Sequence, residues 1–140
     1  MDIIENIEYE LTTFIRRAVS MDSSDKRIGS LERAPYLLLR QLEEYGPARI
    51  RTLADEFKLD ISTLSRQTAL LESRGWIERT PDPDDRRASL LQISPAGRDM
   101  LFSDQRKRIR RYQEMLAEWT PEEREVFARL LSRLSGSLFP

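Results

Sequence analysis

Between Trp76 and Ser94 an otherwise helical sequence changes its period. Elsewhere apolar residues recur three and four apart. Here "WIERT" and "ASLLQIS" read as two short strands, the second with Ser89, Leu91 and Ile93 on one face. Between them lies "TPDPDDRR", Thr80 to Arg87, which puts two prolines and three aspartates against two adjacent arginines. Two short strands are marginal as a free-standing sheet. A chain with only this β segment must lay it as a hairpin against helices, which makes the charged stretch the hairpin's tip.

The helices that could receive it are marked by their apolar spacing and their ends. Ile4, Ile7, Leu11, Ile15 and Ala18 predict a first helix over 3–19, followed by the polar linker "MDSSDKRIGS". A second helix is expected over 31–45, with Leu38, Leu39 and Leu42 inward and Gly46-Pro47 as its stop. Pro35 implies either a later start or a kink. A short helix over 52–58 buries Leu53, Ala54 and Phe57. Asp60 is a suitable N-cap for a helix over 61–74, which Gly75 ends. Ser94-Pro95 opens a long helix over 95–118, and the capping box "TPEE" at 120–123 opens the last one. The expected fold class is mainly α with a small β-hairpin: a winged helix–turn–helix over 49–94, flanked by helices in 1–48 and 95–140, all in one compact chain.

Composition narrows the chemistry. With neither cysteine nor histidine, the chain has no disulfide, no thiolate or imidazole metal site, and no nucleophile–histidine pair. No phosphate-binding loop or isolated acid pair stands out. No enzyme activity, cofactor or metal is therefore expected. The net charge of −1 excludes a globally basic nucleic-acid binder but not a local basic face. There is no apolar run long enough to span a membrane, and "MDIIENIEYE" is unlike a signal peptide, so a cytoplasmic protein is expected.

Several motifs, in order along the chain, resemble the MarR family of bacterial transcription regulators. The wing is the most specific. The family pattern D-x-R-x-x-x-L-x-L-T is met by Asp85, Arg87 and Leu91, with Ile93 and Ser94 as conservative replacements. "LDISTLSR" is similar to the family's turn and recognition helix, "ESRGWIER" to its helix end and first wing strand, and "ISPAGRDML" to its entry into the dimerisation helix. Ala69-Leu70 departs from the charged pair common there. The resemblance implies a homodimer on a pseudo-palindromic double-stranded DNA operator. It also implies release by a small effector, often anionic or aromatic.

Candidate contacts follow from residue type and helical angle. On the 61–74 helix, Ile61, Leu64, Thr68 and Leu71 are expected to face the core. Ser62, Ser65, Arg66 and Ala69 lie opposite, with Thr63 and Leu70 at the edge. A face of small hydroxyls with one arginine can approach a major groove closely. Arg66 can fork to guanine or phosphate, while Ser62, Thr63 and Ser65 can donate to phosphates or base edges. In the wing, Asp85 and Arg87 point the same way, so the acid is expected to orient the base for a minor groove only about 6 Å wide. Arg86, on the other side, suits a phosphate, as does Arg51 at the start of the short helix. Asp82 and Asp84 have no function in this reading. "RKRIRR", Arg106 to Arg111, wraps around its helix and is either solvated, paired with a partner subunit, or an attraction for an anionic effector. The apolar stripes of the outer helices fit a dimer interface. The alternative to a DNA-binding regulator, probed by the same polar face, is a winged helix used only for protein–protein contact.

Overall fold

A computed structural model of the chain describes residues 2–139. The end residues of the two outer segments, Met1 and Pro140, lie outside it. The elements run α1 (Ile3–Asp22), α2 (Arg33–Tyr45), α3 (Ile50–Phe57), α4 (Ile61–Ser73), β1 (Ile77–Asp82), β2 (Asp85–Ile93), α5 (Pro95–Met115) and α6 (Pro121–Gly136). They fall into two compact units, Met1–Lys107 and Arg108–Pro140, which divide within α5.

In the first unit α3 packs on α4, and α2 packs on both α4 and β2. Leu38, Leu39 and Leu42 of α2 meet Leu53 of α3, Leu64 and Leu71 of α4, Ile77 and Leu91 of the hairpin, and Leu101 of α5 in one buried cluster. Burying each such side chain contributes about 1.5–3 kcal/mol. Ile61 is the exception to the expected inner face of α4. It is the first residue of the helix and stays 43% exposed, because the core closes one turn further on, at Leu64. Thr68 is fully buried and satisfies its hydroxyl by donating to the carbonyl of Leu64 at 2.9 Å.

Helix starts follow local chemistry. α2 begins at Arg33, two residues later than expected, which puts Pro35 in the first turn, where an amide proton is not needed. α1 begins on a capping box in which Asp2 and Glu5 each accept the other's amide. Ser94 Oγ accepts from the Gly97 amide at 3.0 Å and donates to the Gly75 carbonyl, which joins the end of the hairpin to the turn after α4. A Cβ on Gly97 would stand 2.1 Å from the Trp76 carbonyl oxygen, so only glycine lets α5 pass this close to the hairpin.

The hairpin is longer than its sequence suggests. β1 and β2 pair antiparallel from Ile77↔Ile93 to Asp82↔Asp85, with a register shift between Pro81 and Asp82. Most of the charged stretch is therefore strand, and the turn is reduced to Pro83 and Asp84. Ala48 adds an isolated bridge on the other edge of β2 by exchanging backbone hydrogen bonds with Leu91 at 3.0 and 2.8 Å. Asp104 of α5 is buried, and its carboxylate accepts from the amides of Ser30 and Leu31. The linker before α2 is thus held to α5.

In the second unit α6 opens on a capping box between Thr120 and Glu123. Arg124 donates to the Leu116 carbonyl at 2.7 Å, and Trp119 meets Phe127 edge to face at 5.2 Å.

Candidate nucleic-acid interface

The first candidate surface is the outer face of α4. Ser62, Arg66, Ala69 and Leu70 are exposed, and Thr63 and Ser65 are half-buried beside them. The helix is set by its cap. Asp60 accepts from the Thr63 amide at 2.6 Å and from the Ser62 hydroxyl at 2.8 Å. Arg66 reaches back to the Thr63 hydroxyl at 3.4 Å. The Thr63 hydroxyl and amide, then the Ser62 hydroxyl, and lastly the charge of Arg66 hold the Asp60 carboxyl at a pKa of about 2. Ser62 and Thr63, read from sequence as free donors, are thus already engaged by Asp60. To touch DNA they must share or exchange that acceptor. Among the described residues neither Ser65 nor Arg66 hydrogen-bonds to a carboxylate.

The second surface is the wing. Arg86 and Arg87 are exposed and sit on opposite faces of β2. Neither forms an ion pair among the described residues. Asp85 does not hold the Arg87 guanidinium. Its carboxylate accepts from the Arg87 backbone amide at 2.9 Å and so fixes the chain where it leaves the turn. The acid therefore acts on the base through the backbone.

Asp82, which the sequence left without a role, is the wing's main attachment. It is 5% exposed. It accepts from Arg49 Nε at 2.6 Å and lies 2.5 Å from the second guanidinium nitrogen. Its other oxygen accepts from the Asp84 amide at 2.9 Å. The Asp84 amide first and Arg49 after it hold the Asp82 carboxyl below its ordinary range, against the opposing effect of burial. The tip is thus folded onto its own acid and tied to the residue that opens α3. An aspartate two residues before an amide it can accept is a local signal for this turn. The Arg49 partner, 33 residues away, has no such signal in the sequence.

Arg51, exposed near the start of α3, shares a cleft with Arg49, Arg79 and Arg87. The structure therefore brings Arg51 and Arg87 to one cleft between α3 and the wing and leaves Ser65 and Arg66 on the α4 face. Of the run Arg106 to Arg111, Lys107 donates to the Ser30 hydroxyl and Arg111 pairs with Glu114 at 3.4 Å. Among the described residues no group of side chains could hold a metal ion, and no helix is long and apolar enough to cross a membrane.

A helix–turn–helix with an exposed hydroxyl-and-arginine face, followed by an arginine-tipped hairpin, defines a winged-helix DNA-binding protein. Comparison with known proteins gives the particular lineage. The profile of the MarR family matches residues 31–89. The chain is 58% identical over 132 residues to the uncharacterized HTH-type transcriptional regulator YxaD of Bacillus subtilis (strain 168), covering 94% of this chain and 92% of that one. It resembles the crystal structure of a probable transcriptional regulator from Pseudomonas aeruginosa with a TM-score of 0.69 and 30% identity, over 95% of this chain and 97% of that one. The fold is also that of Bordetella bronchiseptica BpsR, with a TM-score of 0.74 and 21% identity over 96% of each chain; the DNA binding of that protein is regulated by 6-hydroxynicotinic acid. The chain belongs to the MarR family, a family of DNA-binding transcriptional regulators rather than enzymes.

Proposed function

We propose that the protein is a cytoplasmic repressor that binds a pseudo-palindromic operator as a homodimer and is released by a small anionic or aromatic molecule. One observation carries the reading. Arg66 on α4 and Arg86 and Arg87 on the wing are exposed, and none of them is neutralised by an ion pair among the described residues. Two surfaces of one unit thus offer unpaired charge: a helix face of the kind that enters a major groove and a hairpin of the kind that reaches a minor groove.

In this reading α4 enters the major groove. Arg66 and Ser65 reach base edges or phosphates, and Ser62 and Thr63 join them by sharing Asp60. Arg87 enters the minor groove, held in direction by the Asp85 carboxylate on its amide, and Arg86 and Arg51 take phosphates. The exposed apolar faces of α1 and α6 form the two-fold interface. The effector assignment is supported by the 6-hydroxynicotinic acid that regulates BpsR, a protein of the same fold.

The test is selection of bound sequences from random DNA with the purified protein. Enrichment of two inverted half-sites about one helical turn apart is expected. Failure to enrich any sequence, with retention insensitive to salt, would overturn the reading and leave a winged helix that contacts protein alone.

A further inference from the structure

On the outer face of α4 the polar and apolar residues are sorted along the axis. At about 3.6 residues per turn, Ser62, Arg66, Ala69, Leu70 and Ser73 share that face, and all five are exposed. Its first half is polar, with Ser62 and Arg66 and with Thr63 at the edge. Its second half presents Ala69 and Leu70, the latter 47% exposed. Ser73 adds no donor there, because its hydroxyl donates to the Leu70 carbonyl at 2.7 Å. The next charge along this side of the helix, Arg74, lies over the Trp76 ring, 5.3 Å from its centroid. Past Arg66, then, these side chains offer neither a free hydrogen-bond donor nor a carboxylate.

One leucine and one alanine make a patch far below the roughly 800 Å² per partner that a stable protein interface buries. It fits a small apolar target set among polar ones. The edges of base pairs in a major groove are donors and acceptors with one exception, the methyl group at C5 of thymine. A leucine pressed on a polar edge strips its water and returns no hydrogen bond, which is unfavourable. Pressed on a methyl it removes apolar surface from water on both sides. Ala69, with no side chain beyond Cβ, lets the helix lie close enough for Leu70 to reach. Leu70 follows Arg66 by four residues, about 6 Å along the axis, or about two base-pair steps of a duplex.

We propose that Leu70, backed by Ala69, is a specificity-determining residue that reads the 5-methyl group of a pyrimidine about two base pairs from the contact made by Arg66. The inference rests on the DNA-binding reading, since it needs α4 in a major groove. The methyl group is borne either by thymine or by a methylated cytosine.

The experiment uses the full chain and the duplex selected from random DNA. In one half-site each thymine is replaced in turn by deoxyuridine, which lacks only the methyl group, and each cytosine by 5-methylcytosine. One of these changes should alter the parent's affinity about fourfold, the share of one buried methyl. Leu70→Ala should bind the altered and unaltered duplexes alike, while unfolding in urea as the parent does, because Leu70 lies outside the core. A Leu70-dependent loss at a thymine assigns the methyl to that base. A Leu70-dependent gain at a cytosine, with no loss at any thymine, assigns it to methylated cytosine. Equal binding of every altered duplex by the parent would overturn the proposal, and so would methyl effects that persist in Leu70→Ala. In both outcomes the parent still binds its duplex and Arg66→Ala still weakens it, so the DNA-binding reading stands. If selection enriches no duplex at all, both readings fall together.

Discussion

α4 and α6 are amphipathic helices of 13 and 16 residues with opposite surroundings. α4 buries Leu64, Thr68 and Leu71, and what it leaves outside is mostly small or polar. α6 buries no residue, and Val126, Phe127, Leu130, Leu131 and Leu134 remain 43–49% exposed. α1 resembles α6: Ile4, Ile7, Phe14, Ile15 and Val19 are all at least 45% exposed. The winged region completes its core within one chain and leaves a mostly polar surface. The outer helices carry more apolar side chain than one chain covers. The difference separates the part of the sequence that closes a core from the part that, in the proposed reading, would join two chains.

The largest effect should come from the outer helices. Leu130→Glu would put a charge in the proposed two-fold interface. Sedimentation at micromolar concentration should then report the 16.4 kDa chain in place of twice that mass. Operator affinity should fall about 100-fold or more, since two half-sites would no longer be held by one particle. A parent protein that already sediments as a monomer would erase the distinction between the helices. Next is the core of α4. Leu71→Ala should cost about 2–5 kcal/mol in urea unfolding, because the cavity opens inside a closed cluster. The same change at Leu131, in a protein held monomeric by Leu130→Glu, should cost much less.

On the recognition face the effects should be smaller. Arg66→Ala should weaken operator binding by about 1–3 kcal/mol, mainly for the selected sequence if Arg66 reads a base and for all sequences if it holds phosphate. Asp85→Ala should also weaken binding, though it removes a negative charge near DNA, and should add little once Arg87→Ala is present. Equal or tighter binding by Asp85→Ala would remove its orienting role.

The smallest effect concerns pH. Asp60 titrates at about 2 in the fold against 3.8 for an ordinary aspartate, so its contribution to stability is complete above about pH 4 and is lost as pH falls towards 2. Asp82 is shifted in the same direction. Acid unfolding of Asp60→Asn should therefore be flatter than the parent's across that interval.

Asp60, Gly75, Ser94-Pro95 and the box at Thr120 were legible because a cap or stop is written within four residues of the bond it makes. The outer face of α4 was legible from helical angle alone. The wing's true length was not. Pro81 and Asp82 are turn formers by local rules, yet both pair with β2, and Arg49 holds Asp82 from outside the hairpin. Ile61 misled because an apolar residue at a helix start carries no mark of where the core closes. Asp104 was hidden among charged neighbours on a helix, and its amide partners lie 73 and 74 residues away. The cleft between α3 and the wing had no signature either, since Arg49, Arg51, Arg79 and Arg87 meet only through the hairpin's packing. The wing and Asp104 depend on bonds between residues far apart in the chain, which local patterns do not carry.

The clamp between Arg49 and Asp82 also bears on time. If the wing contacts DNA as proposed, its being fastened beforehand leaves little to order at the encounter, and its association rate should be set by diffusion and charge rather than by a folding step. Differences between good and poor sites should then appear as differences in residence time. Loosening the clamp with Asp82→Asn would reverse this, because each encounter would have to wait for the wing to settle. Slower arrival, with departure nearly unchanged, would be its kinetic signature.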